Sequence, residues 1–223
     1  MKRAHPPYWI SARSRTCRVY VDNDRGVSDD YKEIVAEDCY DIFKYAGRAN
    51  PSVIADIGAN VGMFAKLATV LFPEAEVYAY EPNPEALKWL RKNAESTRIR
   101  VFPYAVSEKS GGVMMNTRFE STCGGMVVPD GNLRVEAIAA SQVADGRPID
   151  LLKMDCEGSE WTILKDTSLL GRTKDLVLEY HAWEGHTVEE LHSLVEKGGH
   201  RILRVQARRE YHPNFGFLWS TKK

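Results

Sequence analysis

The period of the apolar positions changes along the chain, and each change marks an element. The run CRVYVD, residues 17–22, alternates as a short strand does, and from Asp29 to Tyr45 the apolar side chains Ile34, Val35, Cys39, Ile42 and Phe43 give one face of a helix. From Ser52 the pattern becomes strand, glycine turn, helix, repeated. SVIADIG is apolar over most of its length, as a strand covered on both sides must be, and Val61, Phe64, Ala68 and Leu71 then share one helical face. EVYAYE is a second strand. Asn83 can accept an orphan N–H at the start of the next helix, Pro84 has none to offer there, and Leu87, Leu90 and Ala94 follow at helical spacing.

Further strands are predicted at IRVFPYAV, GVMMN, LRVEAI, IDLLKMD, DLVLEYH, HRILRVQ and FGFLWS, with helices around Glu160–Leu164 and Val188–Lys197. Thr187 and Glu190 have capping-box spacing, and Gly198 and Gly199 stop that helix. The last two strands, joined by a turn near His212 to Asn214, are expected to pair antiparallel at the sheet edge. Alternating strands and helices make an α/β fold, Rossmann-like, with a mainly parallel sheet and helices on both faces. Residues 1–50 are expected to form an N-terminal extension or cap (a strand plus a helix), and residues 51–223 the ligand-binding domain.

Composition removes some classes. At 223 residues, with 43% hydrophobic and 27% charged residues, the chain can bury a core without a staple. A net charge of −1 provides no field to gather phosphates, so nucleic acid is a poor partner and a small molecule a better one. Residues 1–18 hold Lys2, Arg3, Arg13, Arg15 and Arg18 without an acid, which suits a solvated terminus. MKRAHPPYWI lacks the apolar stretch of a signal peptide and no run is long enough for a membrane span, so a cytoplasmic location is expected. Scattered Cys17, Cys39, Cys123 and Cys156 form no metal or redox motif and suit reduced thiols. Nothing in the sequence opposes a homo-oligomer.

Ligands of a doubly wound sheet sit beyond the carboxyl ends of the strands. The first core strand ends in Asp56-Ile57-Gly58-Ala59-Asn60-Val61-Gly62, a turn of bare backbone opening a helix. Its spacing is not that of the G-x-G-x-x-G dinucleotide fingerprint, which disfavours an NAD- or nucleotide-sugar-binding enzyme, the principal competitor. Asp56 and Asn60 add acceptors to the donors of the turn, as an amino acid carrying both ammonium and carboxylate needs. Nineteen residues past Gly62, Glu81 ends the second strand at the separation where such folds place an acid against ribose hydroxyls. S-adenosylmethionine satisfies both demands.

The strand ending Lys153-Met154-Asp155 is followed by Glu157 and Glu160, and the next strand ends in Glu179 and His181, which alternation places on one side. Asp155, Glu179 and His181 are therefore the catalytic candidates, with His181 as general base for a hydroxyl acceptor. The same three could instead hold a divalent cation. Trp161, Tyr180 and Trp183 are either acceptor-pocket walls or core. The stretch Phe119–Val128 is either a substrate loop or a plain connection.

VIADIGANVG, AYEPNP and DLLKMDCEGSEWTIL together resemble the FkbM family of S-adenosylmethionine-dependent methyltransferases, over roughly Asp29 to His181. Cys156 stands where that family often has an aliphatic residue, and Ser159 where alanine is frequent. The resemblance implies a class I methyltransferase fold, a seven-stranded sheet with an antiparallel edge strand, and O-methylation of a hydroxyl or carboxyl group on a sugar or natural-product intermediate. It also implies that Asp56, Gly58, Asn60 and Gly62 cradle the methionine moiety, that Glu81 holds the ribose, and that Asp155 lies beside the reacting centre. An RNA or protein acceptor stays open under that resemblance.

Overall fold

The strand expected near residue 17 is one arm of a hairpin, β1 (Tyr8–Ala12) pairing antiparallel with β2 (Arg15–Val19), in the computed structural model, which describes residues 7–21, 25–117, 121–183, 185–208 and 215–223. Asp22 and the expected turn at His212 to Asn214 lie outside the described residues. The single helix expected over Asp29–Tyr45 is broken. α1 (Arg25–Asp30) runs into a π-helical stretch, Tyr31–Ala36, and α2 (Ile42–Ala46) starts afresh. Between them Asp38 and Asp41 take left-handed φ of 52° and 54°, which Asp tolerates better than most residues. The Asp38 carboxylate also accepts from the Phe43 N–H at 3.2 Å, so the break supplies a helix start of its own. It turns Tyr40 inward, to 4% exposure.

The remaining elements run β3 (Val53–Ile57), α3 (Met63–Leu71), β4 (Glu76–Tyr80), α4 (Pro84–Ala94), β5 (Ile99–Phe102), β6 (Ala105–Ser107), β7 (Gly111–Asn116), β8 (Met126–Val127), β9 (Leu133–Ala139), β10 (Ile149–Met154), α5 (Glu160–Leu164), α6 (Thr167–Gly171), β11 (Thr173–His181), α7 (Val188–Lys197), β12 (His200–Ala207) and β13 (Phe215–Lys222). The main sheet has seven strands in the order β12-β13-β11-β10-β3-β4-β5, parallel except for β13. This is the expected Rossmann-like sheet. The strand that runs against the others is second from the edge: β12 is the edge strand and pairs antiparallel with β13.

The segments IRVFPYAV, GVMMN and LRVEAI do not all join the main sheet. The first splits at Pro103 into β5 and β6, because proline gives no N–H to continue a ladder. β6, β7, β8 and β9 make a separate four-stranded sheet, ordered β6-β9-β7-β8.

Alternation along the main strands sends side chains to two cores. Ile54, Val77, Leu151, Val177 and Phe217 pack with α2, α3, α4 and the N-terminal segment, including Ile10, Val27 and Tyr40. Val53, Ala55, Tyr78, Leu152, Leu176 and Leu218 pack on the other face with Trp161, Leu169 and Leu191 of α5, α6 and α7. Helices therefore cover both faces, and all five residues of β3 are buried. Asn83 caps α4 by accepting from the Glu85 N–H at 3.0 Å, worth about 1 kcal/mol. Among the described residues no helix is long and apolar enough to cross a membrane.

Candidate active site

The tips of β3 and β10 meet through backbone. Asp155 donates its N–H to the Ile57 carbonyl at 3.0 Å, and the Asp155 carbonyl lies against Gly58, where a β-carbon would come within 1.7 Å of it. Gly58 has φ +76°, so this position needs glycine twice over: for conformation and for space. Gly58 and Ala59 both donate to the Tyr80 carbonyl, at 3.1 and 3.0 Å, which ties the turn to β4.

Glu81 completes that tie. One carboxylate oxygen accepts the Asn60 N–H at 2.8 Å and the other the Asn83 N–H at 2.7 Å. It is 7% exposed, and burial pushes its carboxyl up to about 7 against the pull of these two N–H groups. The turn after β3 and the acid after β4, recognised separately in the sequence, are thus one hydrogen-bonded unit.

A cavity of about 990 Å³, counted to its open mouth, lies over these tips. Its floor includes Gly58, Asn60, Glu81 and Asn83; its far wall carries Lys153, Asp155, Glu157 and Glu179. The N-terminal segment contributes Asp30, Glu33 and Tyr40, and the four-stranded sheet with its connections contributes Tyr104, Met115 and residues 122–125. Part of the predicted loop Phe119–Val128 is therefore cavity wall; residues 118–120 lie outside the described set.

Asp56 and Gly62, expected in the cofactor cradle, do not line this cavity. Asp56 is fully buried and faces Lys153, with Oδ1 3.2 Å from Nζ. Burial alone would lower the Lys153 pKa, but Asp56 and Asp155 outweigh it and hold the ammonium charged. Lys153 also donates to the Gly58 carbonyl at 2.8 Å. The pair thus braces the glycine turn from beneath. Gly62, at φ +88°, has no room for a β-carbon because Leu90 Cδ1 would be 2.6 Å away, so it serves the packing of α3 on α4. The sequence carries a signal for the Lys153–Asp56 pair: each is a charge set among apolar residues of a central strand, and a buried charge needs a partner.

At the other wall Asp155 and Glu179 come together, as expected, through a residue the sequence did not single out. The Tyr40 hydroxyl is 3.1 Å from Asp155 Oδ2 and 3.0 Å from Glu179 Oε2. Burial, reinforced by the Asp155 charge, pushes the Glu179 carboxyl well above the usual range despite the counter-pull of His181.

His181 is on the side of Glu179 that alternation predicted, but its ring does not line the cavity. It sits 7% exposed among three carboxylates: Nδ1 is 3.3 Å from Glu160 Oε1, and Nε2 is 3.5 Å from Glu157 Oε2 and 3.9 Å from Glu179 Oε1. Burial would lower its pKa; the hydrogen bond and charge of Glu160, then Glu157 and Asp155, reverse this and raise it to about 10. An imidazolium has no lone pair to take a proton, so the expected general-base role does not suit this environment. Glu160 is fully buried and also accepts from the N–H groups of Cys156 and Gly158 at 2.8 and 3.0 Å, shaping the turn after β10. For a cation, the ligand atoms that cluster are those of Asp155, Glu157 and His181, within 4.8 Å of one another, rather than the expected set containing Glu179. His181 could join such a set only as neutral imidazole.

Of the aromatics, Trp161 and Tyr180 are core, 0% and 2% exposed, while Trp183 lies beside the His181 ring at 4.9 Å. Asp30 and Cys123 meet at the rim around Asn60, whose Nδ2 donates to Asp30 Oδ2 at 2.9 Å. Burial and the Asp155 charge push Asp30 up to about 7.

Comparison with known proteins gives concordant results. A family model described as the methyltransferase FkbM domain matches residues 56–202. Methyltransferase sdnD of Sordaria araneosa is 27% identical over 220 residues, covering 79% of this chain and 83% of that protein. The 31-O-demethyl-FK506 methyltransferase FkbM of Streptomyces tacrolimicus is 34% identical over 111 residues, 48% of this chain and 42% of that protein. Among solved structures, TYW2 of M. jannaschii, in complex with AdoMet, superposes with a TM-score of 0.50 at 14% identity, covering 96% of this chain and 84% of that one; it bears on the fold alone.

Proposed function

Because this chain belongs to the FkbM family of S-adenosylmethionine-dependent methyltransferases, we propose that it methylates a hydroxyl group of a small natural product or sugar, with Asp155 taking the proton. The observation that carries this is the joining of the two strand tips by Glu81: one carboxylate fixes both the glycine turn and the start of α4 at the mouth of the cavity.

The lining fits the cofactor. Gly58 lies in the lining, and Asn60 Oδ1 is a buried acceptor without a protein partner, suited to an ammonium group. Glu81 offers its remaining lone pairs to ribose hydroxyls. Bound S-adenosylmethionine supplies a methyl group on a sulfonium, a good leaving group that needs little activation. The work left to the protein is positioning the acceptor oxygen and receiving its proton.

The lining of the cavity is acidic. Asp30, Glu33, Glu81, Asp155, Glu157 and Glu179 line the cavity, and among its described lining residues the one cation is Lys153, already engaged with Asp56. A carboxylate acceptor would enter against this charge, whereas a hydroxyl would find acceptors for its proton. Asp155, 28% exposed at its side chain and 3.8 Å from Lys153, is among the carboxylates open to it. The name of one relative, 31-O-demethyl-FK506 methyltransferase, accords with O-methylation. In this reading His181 is a counter-charge that keeps Glu157 and Glu160 together, and no cation is required.

The test is isothermal titration with S-adenosylhomocysteine, followed by mass spectrometry of deuterated-methyl transfer into a metabolite extract. Binding together with label on a neutral hydroxylated metabolite is expected. Label on RNA, on protein or on a carboxylate would replace the acceptor assignment, and absence of binding would remove the cofactor site.

A further inference from the structure

Resting on the methyl-transfer reading of the cavity, we infer that Tyr40 is a positioning residue for the reaction: its buried hydroxyl couples the Asp155 and Glu179 carboxylates into one unit facing the acceptor. Tyr40 precedes the family-matched region, which starts at residue 56.

The geometry is over-determined. The ring is fixed edge-on against Phe64 and Phe217, with centroids at 5.7 and 5.4 Å, and Lys153 Nζ lies 5.4 Å from its centre. The hydroxyl cannot turn away without moving that packing. It reaches two carboxylates at 3.1 and 3.0 Å but owns a single proton. The arrangement that satisfies every atom has Tyr40 donating to Asp155 while a protonated Glu179 donates to the phenol oxygen. Glu179 is the member burial favours for the extra proton, its side chain being 12% exposed against 28% for Asp155. Asp155 is then held in orientation by the Tyr40 hydroxyl and faces the acceptor.

In the transfer step the acceptor O–H bond breaks as its oxygen bonds to the methyl. The proton goes to Asp155, and the methyl–sulfur bond breaks, returning its pair to sulfur. The groups that face Tyr40 and Glu179, and so set the titration of the unit, are Asp155 and Lys153 on and after β10, His181 on β11, and Glu33 and Cys39 from the N-terminal segment.

Tyr40→Phe keeps the ring and removes the hydroxyl. Three measurements on the full chain separate the outcomes. Titration with S-adenosylhomocysteine should give affinity within about twofold of the parent, since the hydroxyl is placed at the acceptor wall. Carbon-13 NMR of protein labelled at Glu and Asp carboxyls should show the Glu179 midpoint shifting, because the group loses its hydrogen-bond partner while still facing Asp155. Deuterated-methyl transfer into a metabolite extract should fall about tenfold or more. An unmoved Glu179 midpoint, or unchanged transfer, overturns the role of Tyr40. If the parent protein itself fails to bind S-adenosylhomocysteine, it is the cofactor assignment that falls, which the first measurement identifies separately.

Discussion

The carbonyl oxygen of Asp155 occupies the space a side chain on Gly58 would need, 1.7 Å from an ideal β-carbon. The residue just after β10 and the first glycine after β3 are thus fitted to each other through backbone, and the proposed acceptor and cofactor sides of the cavity share one contact.

Gly58→Ala should therefore damage both sides together. The clash is with backbone, which cannot rotate away, and φ +76° adds strain of about 1 kcal/mol or more for a residue with a β-carbon. Loss of S-adenosylhomocysteine binding is expected in a protein that retains its far-ultraviolet circular dichroism. A variant that binds as tightly as the parent would show that the two tips do not meet in this way.

Removing the Glu81 carboxylate unties Asn60 and Asn83. Glu81→Ala leaves two N–H groups to find water, each costing about 1–3 kcal/mol if it fails. The expected outcome is cofactor-product affinity at least about tenfold weaker by calorimetry, with acceptor chemistry untouched where saturation can be reached.

Lys153 and Asp56 make a buried pair, 3% and 0% exposed at their side chains. Lys153→Met strands the Asp56 charge and should cost about 3–5 kcal/mol in urea denaturation. Adding Asp56→Asn removes the orphan and should recover a large part of that loss. A double variant no more stable than the single one would mean the two residues are not coupled.

His181 supplies the pH dependence. Its folded pKa, about 10, lies above the ordinary value near 6.5, so the protonated ring stabilises the fold fully below about 6.5 and loses that contribution as pH rises through 10. His181→Gln should be less stable than the parent near pH 7, by about 3–5 kcal/mol, and the gap should close toward pH 10. A gap that stays constant across this range would indicate a packing defect instead of a lost charge.

Chelation tests the remaining use of the acidic wall. With His181 held as a cation between Glu157 and Glu160, dialysis against EDTA should leave methyl transfer unchanged. Activity that disappears and returns with magnesium would reassign Asp155, Glu157 and His181 as ligands.

What the sequence by itself determined was local: the periods of its strands and helices, the bare-backbone turn from Gly58, the acid at Glu81, and the acidic run after β10. Each follows from backbone rules acting over a few residues, and a strand end carries its side chains to the rim whatever lies across from it. Tertiary structure decided the partners. It assigned Asp56 to Lys153, enclosed His181 among carboxylates, broke one expected helix at Asp38 and Asp41, and brought Tyr40 across 115 and 139 residues of chain to Asp155 and Glu179. Whether an ionisable side chain acts as base, brace or counter-charge depends on the charges and solvent around it, and those come from segments far apart in sequence.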